Sequence, residues 1–407
     1  MGWRKTVSAR EFDVIVYGAS GFTGRLVAEY LAKQDETRWA MAGRSRSKLE
    51  AVRDEVGAPS DTPIITANAD DPASLEAMTA RAKVVLTTVG PYQLYGEPLV
   101  AACVKTGTDY VDLCGEPNWM AEMIAKYEGA ARQSGARIVF SCGFDSIPFD
   151  CGVYFLQGLA RQRYGAPAPR VRGRVRKMKG TFSGGTMASM LATIDAQKRD
   201  RDLMKKLRNP FLLAGGRGAE QPEQNKPVYD SDLGAWATPF VMASINTKNV
   251  HRTNALLGHA YGRDFTYSEM QMTGKGEAGE KRAKAAANQM LMLMGALAFP
   301  PTRWLLTSFA LPKPGQGPNK EARESGHYEV LFVADAAGGQ VRASVSGDKD
   351  PGYGSTSKMI AEAALCLARE IPRERTPGGF WTPAAAMGET LIERLTQRAG
   401  LAFTAID

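Results

Sequence analysis

The chain has 407 residues, 44% of them hydrophobic and 23% charged, with a formal net charge of +8. That length and balance exclude a disordered or low-complexity chain and allow two or three domains around a large core. The positive balance favours anionic partners, but the two signs are interspersed and no nucleic-acid module is present, so nucleic acid is not an expected partner.

The first strand-like run covers 12–17 and ends in a glycine series, Gly18, Gly21 and Gly24, after which a helical pattern covers 22–34. A strand that turns through glycines into a helix brings backbone N–H groups and a helix N-terminus to a pyrophosphate. Gly18 permits the tight turn, Gly21 removes a Cβ where the ligand approaches, and Gly24 lets the helix lie close on the strand. Ser20, Phe22 and Thr23 complete the expected phosphate loop. The second strand, 38–42, ends at Gly43 and is followed by Arg44 and Ser45. A site for NAD usually carries an acidic residue here to hold the ribose 2′-OH. A guanidinium suits a 2′-phosphate, so NADP(H) is the expected cofactor. Arg46 and Lys48 read as the solvated first turn of a helix over 46–56.

Strand and helix patterns then alternate: strands near 63–67, 83–89, 108–112 and 136–141, and helices near 72–81, 96–106 and 117–134. This alternation predicts an α/β fold, a Rossmann-type doubly wound parallel sheet that binds its ligand at the carboxyl ends of the strands. Asp70 follows the third strand, on the adenine side. Val89, Gly90 and Tyr92 follow the fourth, beside the nicotinamide ribose. Hydride transfer needs a dry cleft and a proton donor near that end. Tyr92 and Asp145 are the candidate catalytic residues, with Ser146 and Glu116 behind them. Each has a plainer reading: Tyr92 covers the cofactor, Asp145 caps a helix at 149, and Glu116 caps the helix near 117.

Beyond residue 148 the pattern changes. A helix over 149–164 leads to a strand at 170–179, irregular stretches fill 208–235, and strands follow near 264–273, 327–335 and 340–347. The domain plan is thus a cofactor domain over 1–148, an inserted α+β domain over 149–350, and helices over 351–407 that return to the first domain, with 355–370 capped by Ser355 or Thr356. Arg170, Arg172, Arg174 and Arg176 alternate, which makes either a docking stripe or, the favoured reading, a solvated face that blocks aggregation. Ser183 and Thr186 stand at the entry of a long helix, as caps or as a second anion site. Residues 290–311 are strongly apolar but interrupted by Pro300, Pro301 and Arg303, so two short helices fit better than a membrane span. They read as a domain-interface core, a lid over an apolar substrate, or a patch in peripheral membrane contact.

Five scattered cysteines without a CxxC pair, and three histidines, leave no zinc spacing and suit a reducing, cytoplasmic compartment. His251 and His259 lack a third ligand. The N-terminus shows no apolar segment of secretory type.

Fragments along almost the whole chain resemble the saccharopine dehydrogenase-like oxidoreductases, most closely the trans-acting enoyl reductase branch. They are 18–24 with 42–44, 89–92 with 95–98, 102–104 with 107–112, 115–117, 143–148 and 184–186. Further on come 311–315 with 317–318, 350–354, and 378–383 with 386–388. The resemblance implies NADP(H)-linked reduction, and in that branch reduction of a carbon–carbon double bond in a lipid or polyketide intermediate. The expected partners are a hydrophobic small-molecule or carrier-linked acyl substrate, an acidic carrier protein, and a second copy in a homodimer. Two rivals stay open: a saccharopine-type enzyme acting on a C–N bond, and a non-catalytic NADP-binding protein of a lipid surface. A pair of arginines facing the nicotinamide would favour the amino-acid substrate, and an apolar tunnel the lipid.

Overall fold

The computed structural model describes residues 10–34, 37–180, 184–200, 202–309 and 315–407. The first sheet contains β1 (Phe12–Tyr17), β2 (Trp39–Gly43), β3 (Ile64–Thr66), β4 (Ala82–Thr87), β5 (Asp109–Val111) and β6 (Arg137–Val139). The second contains β7 (Arg170–Lys179), β8 (Val228–Asp230), β9 (Ala235–Pro239), β10 (Thr266–Gly274), β11 (His327–Ala336) and β12 (Gly339–Gly347). Near the C-terminus β13 (Gly379–Trp381) returns to the first sheet and β14 (Leu401–Ile406) joins the second.

The first sheet runs β13-β6-β5-β4-β1-β2-β3, with every pairing parallel. Its central strands β1 and β4 are fully or nearly fully buried apolar runs, as a sheet covered by helices on both faces requires. The order reverses between β1 and β4, which opens a crevice at their carboxyl ends. The second sheet is mixed, in the order β14-β12-β11-β7-β10-β9-β8, with only β7 and β10 paired in parallel. The expected doubly wound α/β sheet with a second α+β unit is therefore what the chain forms.

Helix Ile147–Tyr164 lies between the two units, packed on β11, β12 and helix Pro383–Arg398. Helix Thr356–Arg369 covers β1, β4 and β5. One apolar cluster runs without a break from Val14 and Leu86 to Phe332 and Val345, so the two sheets share a core. Buried Arg137 fastens the C-terminal segment: its Nε donates to Asp109 at 3.0 Å and its Nη1 to the Ile371 carbonyl at 2.7 Å.

Three local expectations are corrected. The arginines of β7 are ion-paired, and only Arg170 and Arg176 are exposed, paired with Asp335 and Glu329; Arg172 and Arg174 do not form the expected solvated face. Arg174 is 4% exposed and donates to Asp230 at 3.0 Å, and Arg172 bridges Asp230 and Asp335 at 3.1 and 3.3 Å. The acidic partners come from β8, its turn and β11, which sequence spacing does not reveal. Neither Ser355 nor Thr356 caps the helix after 355. A tight turn at Pro351–Ser355 precedes it, and the Asp350 carboxylate accepts from the N–H groups of Gly352, Tyr353 and Gly354.

Residues 290–309 end one helix, Gly276–Ala298, and form a second, Pro300–Phe309, which meet at Phe299 and Pro300. They do not form a domain-interface core. Their inner stripe joins a small cluster built on Met187, Ile194 and Leu297. Leu291 (73% exposed), Trp304 (65%) and Phe309 (77%) face outward. Between Met290 and Phe309 the apolar residues are not confined to one face, so packing on one side leaves some of them exposed. Among the described residues no helix is long and apolar enough to cross a membrane. Ser183 and residues 1–9 lie outside the described residues.

Candidate active site

A cleft of about 1000 Å³ runs from the carboxyl ends of β1, β2 and β4 to the helices of the second unit. At one end the chain turns from β1 through Gly18 (φ +90°) into helix Phe22–Leu31, which has Gly21 at its N-cap and no side chain capping it. The first-turn N–H groups of that helix therefore have no intrahelical acceptor and open on the cleft. Ser20, Gly21, Phe22 and Thr23 line this end. Gly24 does not. It sits underneath, where a Cβ would come 2.2 Å from the Gly18 carbonyl oxygen.

Arg44 and Asp70 line the cleft at the ends of β2 and β3. Arg44 is exposed and makes no hydrogen bond or ion pair among the described residues. Arg46, two positions on, is spent on Glu50 and the Ile64 carbonyl. Ser45 does not reach the cleft. Its hydroxyl accepts from Lys48 N and caps helix Arg46–Glu55. Val89, Gly90 and part of Tyr92 form the next stretch of wall. A Gly-lined turn, a helix N-terminus with free N–H groups and an unpaired guanidinium beside it fit a phosphorylated dinucleotide.

Tyr92 is misread as a proton donor. Its hydroxyl donates to the Thr87 carbonyl at 3.3 Å and accepts from Leu113 N at 3.0 Å. Burial first, then the nearby Asp112 charge, pushes its pKa far above 10. The phenol staples the loop after β4 to the loop after β5. Glu116 is committed too: its carboxylate accepts from Tyr92 N and Gln93 N, both at 2.9 Å, and from the Ser189 hydroxyl at 2.6 Å. It caps the turn at Tyr92–Tyr95, not the helix that follows it. Ser146 is buried, and its hydroxyl accepts from Asn249 Nδ2 at 2.8 Å.

Asp145 is different. It lines the cleft, and it does not cap helix Ile147–Tyr164. Burial alone raises its pKa to about 7. A carboxyl balanced at neutral pH in a cleft can donate a proton. The cleft wall also contains Lys248, absent from the sequence expectations. Lys248 is 4% exposed, donates to the Ser244 carbonyl at 2.8 Å, and has its pKa lowered to about 8 by burial.

The rest of the second wall mixes apolar side chains with Ser189, Thr193, Gln197, Arg208 and Ser244, and methionine is its commonest residue. Met178, Met190, Met204, Met242, Met290 and Met294 all face the cleft. Among the described residues its charged groups are Arg44, Asp70, Asp145, Arg208 and Lys248. Metal chemistry has no visible ligand set, because no cluster of three His, Cys, Asp or Glu side chains exists among the described residues. His251 is buried beside Phe211 and Phe265, and burial followed by the Lys248 charge lowers its pKa to about 4. The five cysteines are buried and unpaired.

Buried carboxyls dominate the pH dependence of stability near neutrality. Burial raises Asp112, Asp145 and Asp150 to about 7 and Glu269 to about 8. In the unfolded chain such groups titrate near about 4. A raised folded pKa gives stability that is complete below the unfolded value and lost as pH rises through the folded one. His251 and Lys248, both lowered, act in the opposite sense, chiefly below pH 6.5 and above pH 8. Between pH 6.5 and 8 the carboxyls outnumber them, so the thermal midpoint is expected to fall across that interval. Calorimetry at the two pH values checks it, and a rising midpoint would contradict the assignment.

Residues 14–139 match the family described as saccharopine dehydrogenase NADP binding domain. A Mycobacterium tuberculosis relative, provisionally named a trans-acting enoyl reductase, is 43% identical over 96% of each chain. The trans-acting enoyl reductase of Mycobacterium bovis BCG is 40% identical over 95% of this chain and 96% of its own. This chain belongs to the trans-acting enoyl reductase family. It is an NADP-dependent oxidoreductase of the saccharopine dehydrogenase-like kind. The apo saccharopine dehydrogenase of Saccharomyces cerevisiae shares its fold, with a TM-score of 0.53 at 12% identity, covering 97% of this chain and 99% of that one.

Proposed function

We propose that the protein reduces the carbon–carbon double bond of an α,β-unsaturated acyl group attached to a long apolar chain. The observation that carries this reading is the methionine-rich second wall, which continues the dinucleotide end of the cleft and, among the described residues, has Arg208 as its one arginine where an amino-dicarboxylic substrate would need a pair. The names of the relatives support the same chemistry.

When bound, NADPH would supply the hydride that the β-carbon takes. Gly18, Ser20, Gly21, Phe22 and Thr23 would hold the pyrophosphate, Arg44 the 2′-phosphate, Asp70 the adenine side, and Val89 and Gly90 the nicotinamide ribose. Asp145 gives a proton to the α-carbon and regains it from solvent. The apolar wall excludes water from both transfers. The outward-facing Leu291, Trp304 and Phe309 stand on the helices that supply Met290 and Met294, which supports delivery of the chain from an apolar surface and peripheral contact with lipid.

NADPH consumption with trans-2-enoyl thioesters of increasing chain length tests the reading. Turnover that improves with chain length is expected. Turnover only with a keto acid and an amine would move the protein to the C–N rival. Arg44→Ala is expected to weaken NADPH binding roughly ten- to a hundredfold, the worth of a charge-assisted hydrogen bond of about 1.5–3 kcal/mol, and to leave NADH binding unchanged. Fluorescence titration with each cofactor measures both.

A further inference from the structure

We propose that Lys248 is a catalytic residue whose ammonium stabilises the enolate oxygen that forms as hydride reaches the β-carbon. The proposal rests on the enoyl reading above. Hydride addition makes a C–H bond at the β-carbon, shifts the C=C π pair between the α-carbon and the carbonyl carbon, and moves the C=O π pair onto the carbonyl oxygen. That oxygen then carries a full negative charge until the α-carbon takes a proton. A preorganised cation beside it binds the transition state better than the neutral substrate.

Lys248 fits this role by position and by what it lacks. It lies on helix Ala243–Leu256 and lines the cleft at 4% exposure. An ammonium has three donors. One is used, on the Ser244 carbonyl at 2.8 Å, and no carboxylate pairs with it among the described residues. A buried cation without a counter-ion is costly, and an enolate in the cleft would provide the missing charge. The helix is also fixed against the turn that carries Asp145, where Asn249 Nδ2 donates to Ser146 Oγ at 2.8 Å, and against β10, where Asn246 Nδ2 donates to Glu269 Oε1 at 2.7 Å. Of the titratable groups nearby, His251 on its own helix feels the Lys248 charge, while Glu269 and Asp145 lie on the elements held by Asn246 and Asn249. Of these, Asp145 also lines the cleft.

Lys248→Met and Lys248→Arg are compared with the wild type, each loaded with NADPH and given trans-2-dodecenoyl-CoA. Lys248→Met is expected to lower kcat about 10²–10³-fold, the usual loss of an oxyanion donor, with NADPH affinity and thermal midpoint held or improved. Lys248→Arg is expected to recover at least tenfold. Above pH 8 the wild-type rate falls with the loss of two protons, and that of Lys248→Met with one. A second readout does not need turnover: the midpoint of pH-dependent acetylation of the Lys248 amine, followed by mass spectrometry, rises when acetoacetyl-CoA, an enolate mimic, is bound with NADP⁺. A Lys248→Met enzyme within threefold of wild-type kcat, or an acetylation midpoint that acetoacetyl-CoA does not move, overturns the proposal while the enoyl reading stands. A wild type that binds NADPH yet reduces no enoyl thioester overturns that reading, and this role with it.

Discussion

Gly24→Ala is expected to lower NADPH affinity by at least about a hundredfold while the chain still folds. The added Cβ would lie 2.2 Å from the Gly18 carbonyl oxygen and 2.8 Å from Ala19 Cα. Both are backbone atoms, so no side-chain rotation relieves the overlap. The loop cannot retreat easily either: Gly18 N donates to the Ala42 carbonyl at 2.9 Å, and Gly21 N to the Gly18 carbonyl at 2.9 Å. The helix must therefore move off the strand, carrying its first-turn N–H groups away from the pyrophosphate position. Overpacking of this kind costs about 1–3 kcal/mol, less than the stability of most domains, so the damage falls on the ligand. Gly158→Ala is the control. It lies within helix Ile147–Tyr164 with nothing within 4 Å of the added carbon. It should stabilise the fold by roughly 0.5–1 kcal/mol and leave NADPH binding alone. Fluorescence titration and thermal melts separate the two variants. A Gly24→Ala protein within threefold of wild-type affinity would contradict this account.

The cofactor half of the molecule was legible because its rules are local. A buried apolar strand, a glycine turn and an amphipathic helix repeat with short loops, and each unit announces itself within about thirty residues. The substrate half obeys a different logic. Helix Ala243–Leu256 was missed because it is buried almost throughout by polar residues: Asn246, Thr247, Asn249, His251, Arg252, Thr253 and Asn254. Apolar periodicity cannot find such a helix. Distant partners stabilise it: Arg252 donates to the carbonyls of Leu213 and Phe380, and Thr253 to Asp150. Lys248 was invisible for the same reason. A lysine in a polar run reads as solvated until the fold buries it. The short strands at 228–230 and 379–381 failed differently, being three residues each and defined only by their neighbours. Tyr92 shows the limit of placement by analogy. It follows β4 and lines the cleft, but its hydroxyl is taken by two backbone groups that spacing could not place.

Asp145→Asn is expected to lower kcat about 10²–10⁴-fold, the usual worth of a positioned acid, with NADPH affinity unchanged. The reasoning depends on protonation state. Burial raises the Asp145 pKa to about 7, so at pH 6 most molecules carry the neutral acid that can donate. Above pH 7 the acid ionises and the wild-type rate falls. The asparagine variant has no proton to lose there, and its residual rate should not share that limb. The same substitution acts oppositely on stability. A carboxylate at this position is poorly solvated, whereas the amide is neutral at every pH. At pH 8 the variant should therefore melt higher than the wild type, and at pH 5.5 the difference should shrink as the wild-type carboxyl becomes neutral. Loss of rate together with gain of stability separates a residue kept for chemistry from one kept for the fold. Stopped-flow rates and calorimetry at the two pH values decide it. A variant that melts lower than the wild type at pH 8 and keeps its rate would return Asp145 to a structural role and leave the source of the α-proton elsewhere in the cleft.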